Sequence, residues 1–174
     1  MSCTTVKALW PGEKHSDFEE LVNSHGSAPV IWDAMCRKYY GTDPFAFYGM
    51  VNILCTRWRD LSIPKHHRAV LMMTFDRAYI IRADYAKAAV DIRAWLKDFP
   101  QGIECINHWP RLAEIFESDP EIPAIGLYLT SVGDDPFEGQ WDEEKEEYSQ
   151  PDWEQCFDIY EEMEIFEEAV KQCG

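Results

Sequence analysis

The sequence predicts a mainly α fold: a compact helical domain of about six or seven helices with at most a small two-stranded β element. Three observations predict it. Apolar residues recur at helical spacing through most of the chain. Proline and glycine fall where helices begin and end. Period-two alternation with β-branched residues is confined to one late stretch, "EIPAIGLYLTSVGDDPFEG".

The elements follow in order. "SDFE" at 16–19 has the Ser-x-x-Glu spacing of a capping box and predicts a short helix ending near Gly26. "SAPVIWDAMCRKYYG" reads as a second helix, with Ile31, Ala34, Met35 and Tyr39 on one stripe and Gly41 at the left-handed C-terminal cap. In "TDPFAFYGMVNILCTRWRDL" Asp43 is an N-cap and Pro44 the first helical residue, and Gly49 allows a close approach of another element. Residues 69–81 are apolar almost all round, which fits a buried central helix or a buried strand; helix is favoured. Tyr85, Ala89, Ile92 and Leu96 mark a further helix ending before Pro100, and "HWPRLAEIFES" another opening at Pro110.

Residues 125–132 predict a strand closed by a turn at Gly133-Asp134-Asp135-Pro136, with "TTVKALW" near the N-terminus as its partner. The organisation is one domain: a helical body over 1–133, an acidic loop with little reason to be rigid over 134–151, and an acidic amphipathic helix within 152–174.

With 174 residues, 46% hydrophobic and 14% aromatic, the chain has apolar surface enough for a core, unlike disordered acidic proteins. Its net charge of −16 argues against direct binding to nucleic acid, whose phosphates repel it, and suits a basic protein surface as partner. The opening residues lack the apolar run of a signal peptide, and "AVLMM" and "AIGLYL" are too short to span a membrane. Cysteines at 3, 36, 55, 105, 156 and 173 form no C-x-x-C, so reduced thiols and a cytoplasmic location are expected.

The charge is unevenly placed. Residues 1–111 hold 14 Lys and Arg against 12 Asp and Glu, whereas residues 112–174 hold 2 against 20. The two parts carry +2 and −18. Residues 51–97 are mildly basic, with nine Lys and Arg against four Asp. Either the basic middle folds against the acidic end or the acidic end faces a partner. The excess is too large to cancel, so some negative surface is expected to remain.

Pro151-Asp152 predicts the start of a helix over 153–173, which divides cleanly at about 100° per residue. Trp153, Cys156, Phe157, Tyr160, Met163, Phe166 and Val170 share an apolar arc, and Glu154, Asp158, Glu161, Glu162 and Glu168 lie opposite. Ile165 stands among the carboxylates, either as an apolar anchor in a binding patch or as part of a wider packing arc. Asp142, Glu143, Glu144, Glu146 and Glu147 of the loop are candidates for a second acidic row beside the helix. Two such rows would approach the charge spacing of duplex DNA, one per ~1.7 Å of axis.

Catalytic and cofactor signatures are absent: no G-x-x-x-x-G-K-[ST], no G-x-G-x-x-G and no G-x-S-x-G. Asp134, Asp135 and Glu138 lack the spacing of a calcium loop. His66 and His67 are adjacent rather than four apart, so one helix face does not present both to zinc; exposed imidazoles at a helix start are expected. Cys36, Cys55 and Cys156 fall in apolar stripes and read as small hydrophobes, and most of the seven tryptophans read as core.

No cofactor, metal or enzymatic activity is therefore expected. The function predicted is an acidic inhibitor that binds a basic, nucleic-acid-contacting surface of another protein, a DNA mimic of the anti-CRISPR or anti-restriction kind. An immunity protein or antitoxin against a basic toxin is the alternative, and a small carboxylate- or metal-dependent hydrolase a further one. The predicted contact set is Asp142, Glu143, Glu144, Glu146, Glu147, Glu154, Asp158, Glu161, Glu162, Ile165 and Glu168.

Overall fold

A computed structural model describes residues 2–10, 16–41, 48–100, 106–132, 135–137, 141–148 and 155–174. It corrects the mainly helical prediction. Among the described residues, six α-helices accompany a five-stranded mixed sheet of order β2-β1-β4-β3-β7. Strand β1 (Cys3–Leu9) pairs antiparallel with β2 (Ser16–Val22) and with β4 (Ala124–Tyr128). Strand β3 (Ala78–Ile81) lies antiparallel to β4 and parallel to β7 (Phe157–Asp158).

The predicted pairing of the N-terminal segment with the late strand is present, through Val6 opposite Leu127 and Ala8 opposite Ile125. The capping-box helix is not. "SDFEELV" is the edge strand β2, paired with β1 from Val22 opposite Cys3 to Ser16 opposite Ala8, with a shift of register between Val6 and Lys7. Ser-x-x-Glu is a local signal, and here the ladder of inter-strand hydrogen bonds to β1 outweighs it, with Leu21 buried on the core side. The apolar run 69–81 divides into helix α3 (Lys65–Met72) and strand β3. Asp76, in the turn between them, accepts from the backbone N–H groups of Leu129 and Thr130 and from the Thr130 hydroxyl, tying that turn to the end of β4.

Other helices match their local cues. Helix α1 (Ala28–Tyr40) ends at Gly41, whose φ of 65° is the left-handed cap, with its N–H donating to the Arg37 carbonyl. Helix α2 is Tyr48–Thr56; the predicted Asp43 cap and Pro44 start lie outside the described residues. Helix α4 (Tyr85–Asp98) buries Tyr85, Ala89, Ile92 and Trp95, and α5 (Trp109–Glu117) has proline in its first turn. Helix α6 (Ile159–Cys173) is shorter than the predicted 153–173, because Phe157 and Asp158 extend the sheet instead.

One face of the sheet carries the main core. Val6, Ala8, Ile80, Ile125 and Leu127 pack with Ile31, Met35, Leu71, Ile92, Trp95, Trp109 and Met163 from the helices. The opposite face holds a smaller cluster of Leu9, Ala124 and Phe137. Phe137 can lie there because Gly126 has no side chain: a Cβ at that position would stand 2.8 Å from the ring. Asp135 bonds to Lys7 on the same face, Oδ2 to Nζ at 2.7 Å. The start of the predicted loose acidic loop is thus fastened to the sheet, and further on it contains a short hairpin of β5 (Trp141–Asp142) and β6 (Glu147–Tyr148).

Candidate functional site

Helix α6 is positioned from its first turn. Asp158 Oδ1 accepts from the N–H groups of Tyr160 at 2.9 Å and Glu161 at 3.0 Å. This is an N-cap, and the side chain is buried, so Asp158 is withdrawn from the predicted acidic face. Ile159, Tyr160 and Met163 enter the core, and Phe166 meets Trp58 edge to face at 5.4 Å. Trp58 is buried there. The Tyr160 hydroxyl donates to Asp91 Oδ2 at 2.9 Å. Burial holds the Asp91 carboxyl above the ordinary carboxylate range and pushes the Tyr160 phenol up as well.

The basic middle does meet the acidic end. Lys65 Nζ lies 2.9 Å and an Arg68 guanidinium nitrogen 2.7 Å from the two oxygens of Glu167, and Lys87 Nζ lies 3.4 Å from Glu164. Arg82 and Arg93 each grip a carboxylate bidentately, Asp119 and Glu117 respectively. These last two pairs flank a cleft of about 590 Å³ between α4 and α5 that offers no unmatched charge. Burial alone would raise the Glu167 carboxyl, but the bonds from Lys65 and Arg68 outweigh it and hold it below the usual range. A larger part of the acidic excess is neutralised internally than an isolated outward wall would need.

What remains on α6 is narrower. At about 100° per residue, Glu161, Glu164, Ile165, Glu168 and Gln172 share the outward arc. Glu161, Glu168 and Ile165 are exposed, Ile165 to 56%, and Glu162 is half-buried at the edge. Ile165 is thus outside the packing arc, because its neighbours Phe166 and Glu167 turn inward to Trp58, Lys65 and Arg68. Beside the first turn lies a cleft of about 300 Å³ bordered by Tyr79, Asp84, Tyr160, Glu161 and Glu164. Burial first, and then the nearby Asp158 and Glu164, keep the Asp84 carboxyl above its ordinary value.

In the hairpin, Asp142 Oδ1 accepts from the N–H groups of Glu144 and Lys145, and its other oxygen lies 3.4 Å from Lys145 Nζ. Asp142 is therefore spent on its own turn. Glu143, Glu144 and Glu146 are exposed, and Glu147 is the backbone partner of Asp142 in the ladder. Glu154 lies outside the described residues, as do Asp134 and Glu138 of the weighed calcium stretch.

The histidine expectation is corrected. His67 is wholly buried, and the Nε2 atoms of His66 and His67 converge on one oxygen of Asp98, at 2.7 and 2.9 Å. Adjacent residues at the start of α3 meet because the third group comes from the last residue of α4, across the interface between the two helices. The Tyr39 hydroxyl of α1 completes the chain at 2.6 Å from His67 Nδ1. Burial lowers the His67 pKa against the pull of Asp98, and the bonds from both imidazoles hold Asp98 below its usual range. Nothing in local spacing announces a partner 31 residues away.

Burial pushes Cys55 up to about 11, far from the thiolate form. No helix among the described residues is long and apolar enough to cross a membrane. No protein-family model matches the chain, and neither does a curated protein or a solved structure.

Proposed function

We propose that this chain is an acidic, non-enzymatic inhibitor that docks on a basic, nucleic-acid-contacting surface of another protein. The observation that carries the reading is Ile165, 56% exposed on an otherwise anchored helix, with Glu161 and Glu168 beside it and no cation of this chain bonded to either among the described residues. An apolar side chain ringed by charge has the anatomy of an interface anchor inside a polar rim. The carboxylates steer encounter with a cationic groove and compete there with phosphate. The exposed Glu143, Glu144 and Glu146 add to the same field.

The test uses the full chain as bait in extract of its native host, followed by titration of the captured protein at several salt concentrations. Glu161→Lys, Glu162→Lys and Glu168→Lys together replace attraction by repulsion at three points. At about 1 kcal/mol each, they are expected to weaken binding about 100-fold and to flatten its salt dependence. Ile165→Asp is expected to weaken it by a similar factor at every salt concentration. A captured protein whose affinity ignores both the reversal and the salt would end the proposal.

A further inference from the structure

One ring nitrogen each of His66 and His67 and a carboxylate oxygen of Asp98 lie within 4.8 Å of one another, the only His, Cys or carboxylate trio so placed among the described residues. We propose that this trio is a binding site for a divalent transition-metal ion of the zinc class, formed between the start of α3 and the end of α4. It uses residues separate from the acidic face of α6 and does not depend on the reading given to that face.

Two imidazoles and one carboxylate are the donor set zinc takes when a fourth position is left to water. Bonds of about 2.0–2.1 Å at tetrahedral angles place ligand atoms roughly 3.3 Å apart. The two imidazole–carboxylate separations are 2.7 and 2.9 Å, so admitting an ion requires the groups to part by about half an ångström. Rotation of Asp98 supplies that movement, since this side chain is 39% exposed and His66 is 26% exposed. The same exposure leaves a solvent-facing side for the fourth ligand.

His67 is the fixed member. It is wholly buried, its ring lies 4.9 Å from that of Phe99, and its Nδ1 meets the Tyr39 hydroxyl. Metal-ligating histidines characteristically hold their second nitrogen in such an outer bond, which sets the tautomer and aims the ring. In the metal-free arrangement Nε2–H donates to Asp98, and Nδ1 accepts from Tyr39. With the ion bound, Nε2 gives its lone pair to the metal and Nδ1–H donates to the Tyr39 oxygen. The proton moves within the imidazole, and the Tyr39 hydroxyl reverses its role. Asp98 also closes α4, where the carbonyl end of the helix dipole favours positive charge.

The experiment is calorimetric titration of chelator-treated full-length protein with Zn²⁺, alongside thermal unfolding with and without the ion. Wild type is expected to take up one equivalent and to unfold at a higher temperature in its presence. Asp98→Asn, which keeps a hydrogen-bonding oxygen but is a poor ligand, and His66→Ala, on the accessible side, are each expected to weaken binding at least tenfold. Both are expected to remove the thermal shift. Absence of a stoichiometric site overturns the proposal, as does uptake that survives both substitutions or that vanishes on Cys173→Ser instead. The trio would then be a hydrogen-bonded clasp between two helices.

Discussion

Lys7→Met is expected to lower the unfolding free energy by about 3–5 kcal/mol, the cost of stranding one side of a buried ion pair. Lys7 is 4% exposed, and its ammonium lies 2.6 Å from Asp17 and 2.7 Å from Asp135. Asp17 is mostly exposed and returns to water when the lysine is gone. Asp135 is not, with 9% of its side chain exposed, so its carboxylate is left unpaired against the sheet. Denaturant unfolding followed by fluorescence measures the loss. Adding Asp135→Leu is expected to restore most of it, since an apolar pair of similar volume often replaces a buried ion pair without penalty. A loss below about 1 kcal/mol would show that this contact does not fasten residues 135–137. Burial by itself would lower the Lys7 pKa, but the two carboxylates outweigh it and hold the ammonium above its ordinary value of 10.5. A raised cationic pKa adds stability that is whole below the unfolded value of about 10.4 and is lost as pH rises through the folded one. The lysine's contribution is therefore constant through neutral pH, and the variant differs from wild type least in strong alkali.

What the sequence made legible was local. Gly41 marked the end of α1, Pro110 the start of α5, and the β-branched alternation at 125–132 led to the correct β1–β4 pairing. Each depends on residues within a turn or two. The three strands of the five-stranded sheet that were missed are stabilised from a distance. Ser16–Val22 looks helical until β1 is beside it, and Ala78–Ile81 looks like a continuation of α3 until Asp76 is seen to hold the backbone of Leu129 and Thr130. Phe157–Asp158 is a strand only because Ala78 and Tyr79 lie alongside. The same division runs through the candidate sites. Helical spacing put Ile165 among the carboxylates but left open whether it packs or faces out, and the structure exposes it; Asp158 was misplaced because a wheel sorts residues by angle and ignores the cap that its side chain supplies. Glu164 and Glu167 could not be matched to Lys87, Lys65 and Arg68 without the fold. The histidine–aspartate trio was invisible for that reason too.

Arg68→Met is expected to cost about 2–4 kcal/mol and to loosen the helix that carries the proposed contact face. Arg68 is 4% exposed and makes three bonds: to the carbonyls of Ile63 and Trp58, both at 3.2 Å, and to Glu167 at 2.7 Å. Methionine fills the space of the stem but leaves two backbone carbonyls without their donor, at about 1–3 kcal/mol for each that water does not reach. Glu167 keeps Lys65 and so is not left unpaired, which holds the total below the sum of three losses. Glu167→Gln retains an acceptor oxygen for Arg68 and both carbonyl bonds, and is expected to cost about 1 kcal/mol. This order separates a carbonyl-bracing arginine from a simple ion pair, in which the two substitutions would cost the same. Amide exchange gives the functional side: in Arg68→Met, protection is expected to fall most in α6, because Phe166 on Trp58 and Glu167 on Arg68 are the contacts flanking Ile165. Once they slacken, Ile165 no longer has a fixed outward direction, and partner affinity is expected to fall although no residue of the contact face has changed. Unchanged affinity in a variant whose α6 exchanges faster would show that the face needs its composition but not its anchoring.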